Sequence, residues 1–93
     1  MAELVSYQAT CHGRVQGVFY RASTVKVANK LGVKGWVKNQ ADGTVLLHAE
    51  GQNEAVQQLL EWCKKGPLYA HVTQVEVSEA NLEGFSDFSI KYG

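Results

Sequence analysis

The sequence predicts an α+β plait: one antiparallel or mixed sheet with two helices on one face, in the order β-α-β-β-α-β, plus a short C-terminal strand. Three observations predict it. Two segments carry apolar residues at helical spacing, and the remaining apolar segments alternate with period two. The alternating segments are short and keep polar residues on one side, as in a sheet covered on a single face. Glycine or proline punctuates the ends of both helical segments, at Gly32 and at Gly66-Pro67.

From Leu4 to His12, Val5, Tyr7, Ala9 and Cys11 share one side, and Ser6, Gln8, Thr10 and His12 share the outward one. This is a half-buried first strand. Gly13 to Tyr20 breaks the alternation with two glycines and a polar centre. From Arg21 the period is helical, with Val18, Ala22, Val25, Ala28 and Leu31 or Gly32 on the apolar stripe and Gly32 as the terminating residue. Val33 to Asn39 is a second strand, with Val37 and Asn39 on one side, and Asp42-Gly43 signals a hairpin turn. Val45, Leu47 and Ala49 alternate with Leu46, His48 and Glu50 in a third strand ended by Gly51. Asn53 is the expected N-cap of the second helix, and Glu54 suits its first turn. Val56, Leu59, Leu60 and Cys63 form its apolar stripe, and Lys64 and Lys65 suit its negative end. Val72 to Val77 reads as a fourth strand, Asn81 to Gly84 as a loop, and Phe88 to Tyr92 as a short fifth strand. The ferredoxin-like split βαβ plait (βαββαβ) accommodates this order.

Ninety-three residues make one domain, residues 1–93, without internal repeat, low-complexity stretch or linker. With 45% hydrophobic and 19% charged residues the chain is not disordered. Nine basic residues balance nine acidic ones, which argues against binding nucleic acid through phosphate attraction. No apolar run approaches the roughly 20 residues of a membrane span. Met1-Ala2-Glu3-Leu4 lacks the basic start of a signal peptide. A cytoplasmic monomer without membrane or nucleic-acid partner is expected. Cys11 and Cys63 sit among apolar neighbours, with no CxxC pair and no Cys/His zinc spacing, and are expected to be buried thiols.

The stretch Gly13-Arg14-Val15-Gln16-Gly17-Val18-Phe19-Tyr20-Arg21 joins a strand end to a helix start. Unpaired N–H groups and the positive end of the helix dipole meet there. A glycine loop at such a point can turn several N–H groups toward one anion. Arg21 adds a permanent charge and a fork that matches phosphate oxygens. The loop matches neither GxGxxG nor a P-loop, so neither a dinucleotide site nor a nucleotide triphosphatase is indicated. His12, His48 and His71 read as polar residues of a sheet, Asp42 as a turn residue, and Ser23 has no evident base. Asn39 ends the second strand near one end of the sheet; periodicity leaves open whether it faces the loop or initiates the turn.

From Val5 to Tyr92 the chain resembles the acylphosphatases. Two blocks carry the likeness: Gly13 to Arg21, similar to that family's phosphate-binding loop, and Gly35-Trp36-Val37-Lys38-Asn39 followed by Gly43-Thr44-Val45 and Gly51. Cys11 and Tyr20 depart from the aliphatic residue and the Phe or Met usual there. The resemblance implies the same plait, and hydrolysis of the carboxyl–phosphate bond of small acyl phosphates without metal or cofactor. It implies that Arg21 binds the phosphoryl group and that Asn39 orients the attacking water. It also implies that the backbone N–H groups of Gln16, Gly17, Val18, Phe19 and Tyr20 cradle the phosphoryl oxygens, where inorganic phosphate or sulfate could also sit. The resemblance leaves Arg14 open between a part in the phosphate site and a solvated loop charge. The competing readings are an anion-binding module without turnover, a carbamoyl-phosphate-acting domain of a larger protein, and an RNA-binding plait. The RNA reading is disfavoured by the outward Ser6, Gln8, Thr10 and His12, which offer no stacking pair.

Overall fold

The computed structural model describes residues 3–92. Its elements are β1 (Leu4–Arg14), α1 (Tyr20–Leu31), β2 (Lys34–Asn39), β3 (Val45–Gln52), α2 (Asn53–Lys65), β4 (His71–Glu79) and β5 (Phe88–Ile90). The strands form one sheet in the order β4-β1-β3-β2-β5. β3 pairs antiparallel with β1 and β2, β4 pairs antiparallel with β1, and β5 adds parallel to β2, so the sheet is mixed. Two antiparallel steps through β3 leave β1 and β2 pointing the same way. Among the described residues no helix is long and apolar enough to cross a membrane.

One face of the sheet carries the core. Ala9 and Cys11 of β1, Val45, Leu47 and Ala49 of β3, Val37 of β2 and Phe88 of β5 are all buried. The α2 stripe Val56, Leu59, Leu60 and Cys63 is buried as its spacing predicts, and α2 packs on β1, β3 and β4. Helix α1 packs on β2 and β5. Its buried face is Tyr20, Thr24 and Ala28, rotated from the expected stripe: Ala22 is exposed, and Val18 belongs to the preceding loop. Thr24 buries its hydroxyl by donating to the carbonyl of Tyr20 at 2.7 Å.

Tyr20 joins the two helices. Its hydroxyl donates to the carbonyl of Cys63 at 2.7 Å and approaches Cys11 Sγ at 3.2 Å. The residue four beyond Cys63 is Pro67, which has no N–H to offer that carbonyl. A phenylalanine could fill the space but not this acceptor. Gly66 makes room for the ring: a Cβ there would lie 2.9 Å from Tyr20 Cε2, and its φ of 69° is left-handed. Burial pushes the Tyr20 hydroxyl far above its ordinary pKa, so it stays a donor. Hydrogen bonding to Cys11, then burial, pushes the Cys63 thiol up as well. Both cysteines are free and buried, as expected.

Several boundaries differ from the sequence reading. Asn53 is the first helical residue of α2 and Gln52 occupies the N-cap, without a side-chain cap. β1 runs through Gly13 to Arg14, with a register shift between His12 and Gly13 where it meets β4. β5 stops at Ile90, although Lys91 N–H still donates to the Val37 carbonyl at 2.9 Å.

The face without helices is not simply a solvated polar surface. Ser6, His48 and Glu50 are buried there. Gln8 Nε2 donates to His48 Nδ1 at 3.2 Å, which places the ring proton on Nε2. That N–H lies 2.8 Å from Glu50 Oε2 and 3.1 Å from Ser6 Oγ, and Ser6 in turn donates to the Asn81 carbonyl at 3.1 Å. Trp36 stacks on the His48 ring at 5.8 Å and Phe85 meets it edge-on at 5.3 Å. Glu50 also accepts from the backbone N–H groups of Glu83 and Gly84, which fastens the β4–β5 connection across this face.

Burial alone would raise the Glu50 carboxyl. The hydrogen bonds from His48 and the backbone N–H groups of Glu83, Gly84 and Phe85 outweigh it and hold the group below its ordinary range. A carboxyl depressed by folding stabilises the protein above its unfolded pKa of about 4.3, and that stability is lost as pH falls through the lower folded value. Glu50→Gln should therefore lower the unfolding free energy at pH 7 by about 1.5–3 kcal/mol, the worth of a hydrogen bond to a charged group. Urea titrations across the acid range should show the mutant losing less stability than wild type below pH ~4. Equal acid sensitivity would mean that Glu50 does not tie down the connection.

Candidate active site

β1 and β2 end at the same edge of the sheet. Cys11, Val45 and Asn39 stand in one row across β1, β3 and β2, all on the helix-bearing face. Beyond that row, residues 15–19 lead from β1 into α1. Val15 and Val18 are buried and peg this loop to the core, while Gly17 and Phe19 are exposed. The result is a cleft of about 280 Å³ lined by apolar Val15 and Ile90 together with Gly17, Phe19, Arg21 and Asn39. The structure thus answers what periodicity left open: Asn39 faces the loop.

The loop backbone alternates in handedness. Gly17 has φ 74° and Phe19 has φ 63°, whereas Val18 between them is not in the positive-φ region. Alternating handedness turns successive N–H groups toward one point. No backbone or side-chain acceptor takes the N–H groups of residues 16–20 among the described residues. Phe19 is also the N-cap of α1, so the positive end of the helix dipole opens into the same cleft. Its left-handed conformation, unusual for a residue with a Cβ, stores about 1–3 kcal/mol of strain at the site. The 76% exposed ring contributes little packing to offset that strain.

Arg21 lies in the first turn of α1, half-buried, with its guanidinium carbon 5.5 Å from the Tyr92 ring centroid. Among the described residues no carboxylate pairs with it; the ion pairs are His12–Glu76, His48–Glu50 and Lys64–Glu61. Asn39 Oδ1 is buried and accepts no hydrogen bond from any described residue. A buried acceptor left unpaired costs about 1–3 kcal/mol. It lies in the cleft that Arg21 and Gly17 also line, and a hydrogen-bond donor entering there would remove that cost.

Gln16 reaches out of the loop. Its side-chain Nε2 donates to the carbonyls of Gln40 at 2.8 Å and Thr44 at 2.9 Å, at the mouth of the β2–β3 turn. Only its backbone N–H entered the sequence reading. The available signal was a long polar residue between Val15 and Gly17 in a loop otherwise pegged by valines. The Tyr20 ring is core, so of that residue only the backbone can serve the cleft.

The remaining titratable candidates lie outside the cleft. Asp42 closes the hairpin turn, where hydrogen bonds from the Thr44 hydroxyl and N–H lower its carboxyl pKa. His12 pairs with Glu76 across β1 and β4. Ser6, His48 and Glu50 do not form a nucleophilic triad: Ser6 and Glu50 share the same ring nitrogen, which carries the proton. Arg14 is exposed at the end of β1. Among the described residues no three His, Cys, Asp or Glu side chains gather as metal ligands.

Residues 7–90 match the family model described as Acylphosphatase. The chain belongs to the acylphosphatase family. It is 51% identical over 79 residues to the acylphosphatase of Methylococcus capsulatus, covering 84% of this chain and 86% of that one. It is 51% identical over 80 residues to the acylphosphatase of Thermotoga maritima, covering 86% and 89%. The crystal structure of the Bacillus subtilis acylphosphatase superposes with a TM-score of 0.92 at 42% identity, covering 97% of this chain and all of that one. The acylphosphatases are enzymes, and this chain is one of them.

The left-handed backbone at Gly17 has a measurable consequence. A Cβ at Gly17 meets no atom within 4 Å, so a substitution there costs only backbone strain. Gly17→Ala should lower stability by about 1–2 kcal/mol in urea unfolding. An unchanged midpoint would show that the loop does not require the left-handed form.

Proposed function

We propose that the chain is one acylphosphatase domain that hydrolyses the carboxyl–phosphate bond of small acyl phosphates, giving a carboxylate and inorganic phosphate. The observation that carries this reading is the buried Asn39 Oδ1, which accepts from no described residue, in one cleft with Gly17 of the loop and with Arg21, which no described carboxylate pairs. The N–H groups of Gln16 to Tyr20 cradle the phosphoryl oxygens, and the Arg21 fork takes two of them. The side-chain amide of Asn39 binds the attacking water and aims its oxygen at phosphorus.

The water oxygen bonds to phosphorus, and the phosphorus–oxygen bond to the acyl group breaks with its electron pair on the departing carboxylate. The proton of the attacking water passes to a phosphoryl oxygen. A carboxylate leaving group has a conjugate acid of pKa about 4.3, so it departs as an anion at neutral pH and needs no general acid. Phosphoryl transfer asks mainly for positioning and charge stabilisation. Two side chains and a set of amides meet that demand, and the reading requires neither metal nor cofactor. A cytoplasmic monomer remains the working expectation.

The direct test is release of inorganic phosphate from acetyl phosphate and benzoyl phosphate with a chelator present. Arg21→Lys should lose about 10²–10³-fold in kcat/KM, because a point charge does not reproduce the fork. Near-wild-type activity of the lysine variant would rule out bidentate binding. Asn39→Ala should keep the inhibition constant of inorganic phosphate while kcat falls by about 10²–10³-fold. Loss of phosphate inhibition in that variant would make Asn39 a binding or structural residue. A folded wild type that binds phosphate saturably yet hydrolyses neither substrate would be an anion-binding module instead.

A further inference from the structure

We infer that the Gln16 side chain is a positioning residue that sets the distance between the phosphate cradle and Asn39. The inference rests on the reading of Asn39 as the residue that orients water. A primary amide has two N–H hydrogens, and Gln16 Nε2 has two acceptors, the carbonyls of Gln40 and Thr44 at 2.8 and 2.9 Å. Both donors are thus committed to the opposite side of the cleft. Gln40 directly follows Asn39, and Thr44 directly precedes Val45, the residue paired with Asn39 across the last rung of β2 and β3. Gln16 therefore grips the rung that carries Asn39, while its own backbone N–H belongs to the loop. One residue spans both halves of the site.

The turn does not need Gln16 in order to form. Gln40 N–H donates to the Thr44 carbonyl at 2.9 Å, and Gly43 N–H donates to the Gln40 carbonyl at 3.1 Å. Asp42 Oδ1 accepts from Thr44 N–H at 3.0 Å and from the Thr44 hydroxyl at 2.6 Å, and Gln40 Nε2 reaches that hydroxyl at 2.9 Å. These bonds shape the turn from within. The two from Gln16 fix where the shaped turn sits against the loop. Nothing in the family likeness assigns the side chain this work; the resemblance uses only its backbone N–H.

In-line attack is sensitive to such placement, since a 1 Å misplacement can cost about 10²-fold. The clean variant is Gln16→Met, which keeps length and packing but removes both donors. Far-UV circular dichroism and urea unfolding should first establish that it folds. In hydrolysis of benzoyl phosphate, kcat should fall by about tenfold, with KM and the inhibition constant of inorganic phosphate unchanged. Placed in the Asn39→Ala background, the same substitution should produce no further loss, because its target is already gone. Wild-type kcat, a loss that multiplies with that of Asn39→Ala, or a loss confined to phosphate affinity would each overturn the inference. Undiminished kcat in Asn39→Ala alone would overturn the underlying reading of Asn39, a result distinct from any produced by the Gln16 variant.

Discussion

Two strands that point the same way and end at the same edge, with an antiparallel strand between them, govern this molecule. Because β3 separates β1 from β2, Asn39 stands two strands from Cys11 on the same face. The chain leaving β1 must cross that edge to start α1, which brings the loop to the side of the sheet end where Asn39 stands, and the Gln16 side chain ties it to the β2–β3 turn. The apolar pegs Val15 and Val18 then hold the loop while Gly17 between them stays exposed. The site is a by-product of crossover geometry, trimmed by a few local interactions.

Those interactions divide the labour by face. On the helix side, Tyr20 fills the space that Gly66 vacates and supplies the hydrogen bond that Pro67 cannot, so the start of α1 and the end of α2 are fixed together. Arg21 is the next residue, and its placement inherits that rigidity. On the opposite face, Glu50 and His48 fasten the β4–β5 connection, so β5 arrives beside β2 and delivers Ile90 to the cleft wall. A polar network and an apolar core thus brace the same site from two sides.

The electrostatic arrangement is economical. Arg21 has no carboxylate partner among the described residues, and the loop amides have no acceptors there. In a partly desolvated cleft such uncompensated donors attract an anion far more strongly than they would in water. The same feature costs stability in the free protein, as do the left-handed Phe19 and the orphaned Asn39 Oδ1. Local rules are broken together at one place, which is where function is expected to override foldability.

Local pattern was enough for the strands and helices, because alternation and helical stripes are written in consecutive residues. The α2 stripe, the hairpin at Asp42-Gly43, the buried thiols and the glycine loop ahead of Arg21 were all legible this way. The buried face of α1 was not: Thr24 satisfies its hydroxyl on the helix backbone and goes inside, whereas Ala22 opens to the cleft. The burial of Ser6, His48 and Glu50 also escaped periodicity, since the residues that cover them come from a connection more than thirty positions away along the chain from Glu50. The sequence by itself determined which chemistry the chain can offer: an arginine, an asparagine and a flexible amide loop. Only the tertiary structure decided that they meet, because the side toward which Asn39 points and the reach of Gln16 depend on strand order and register, which no local period encodes.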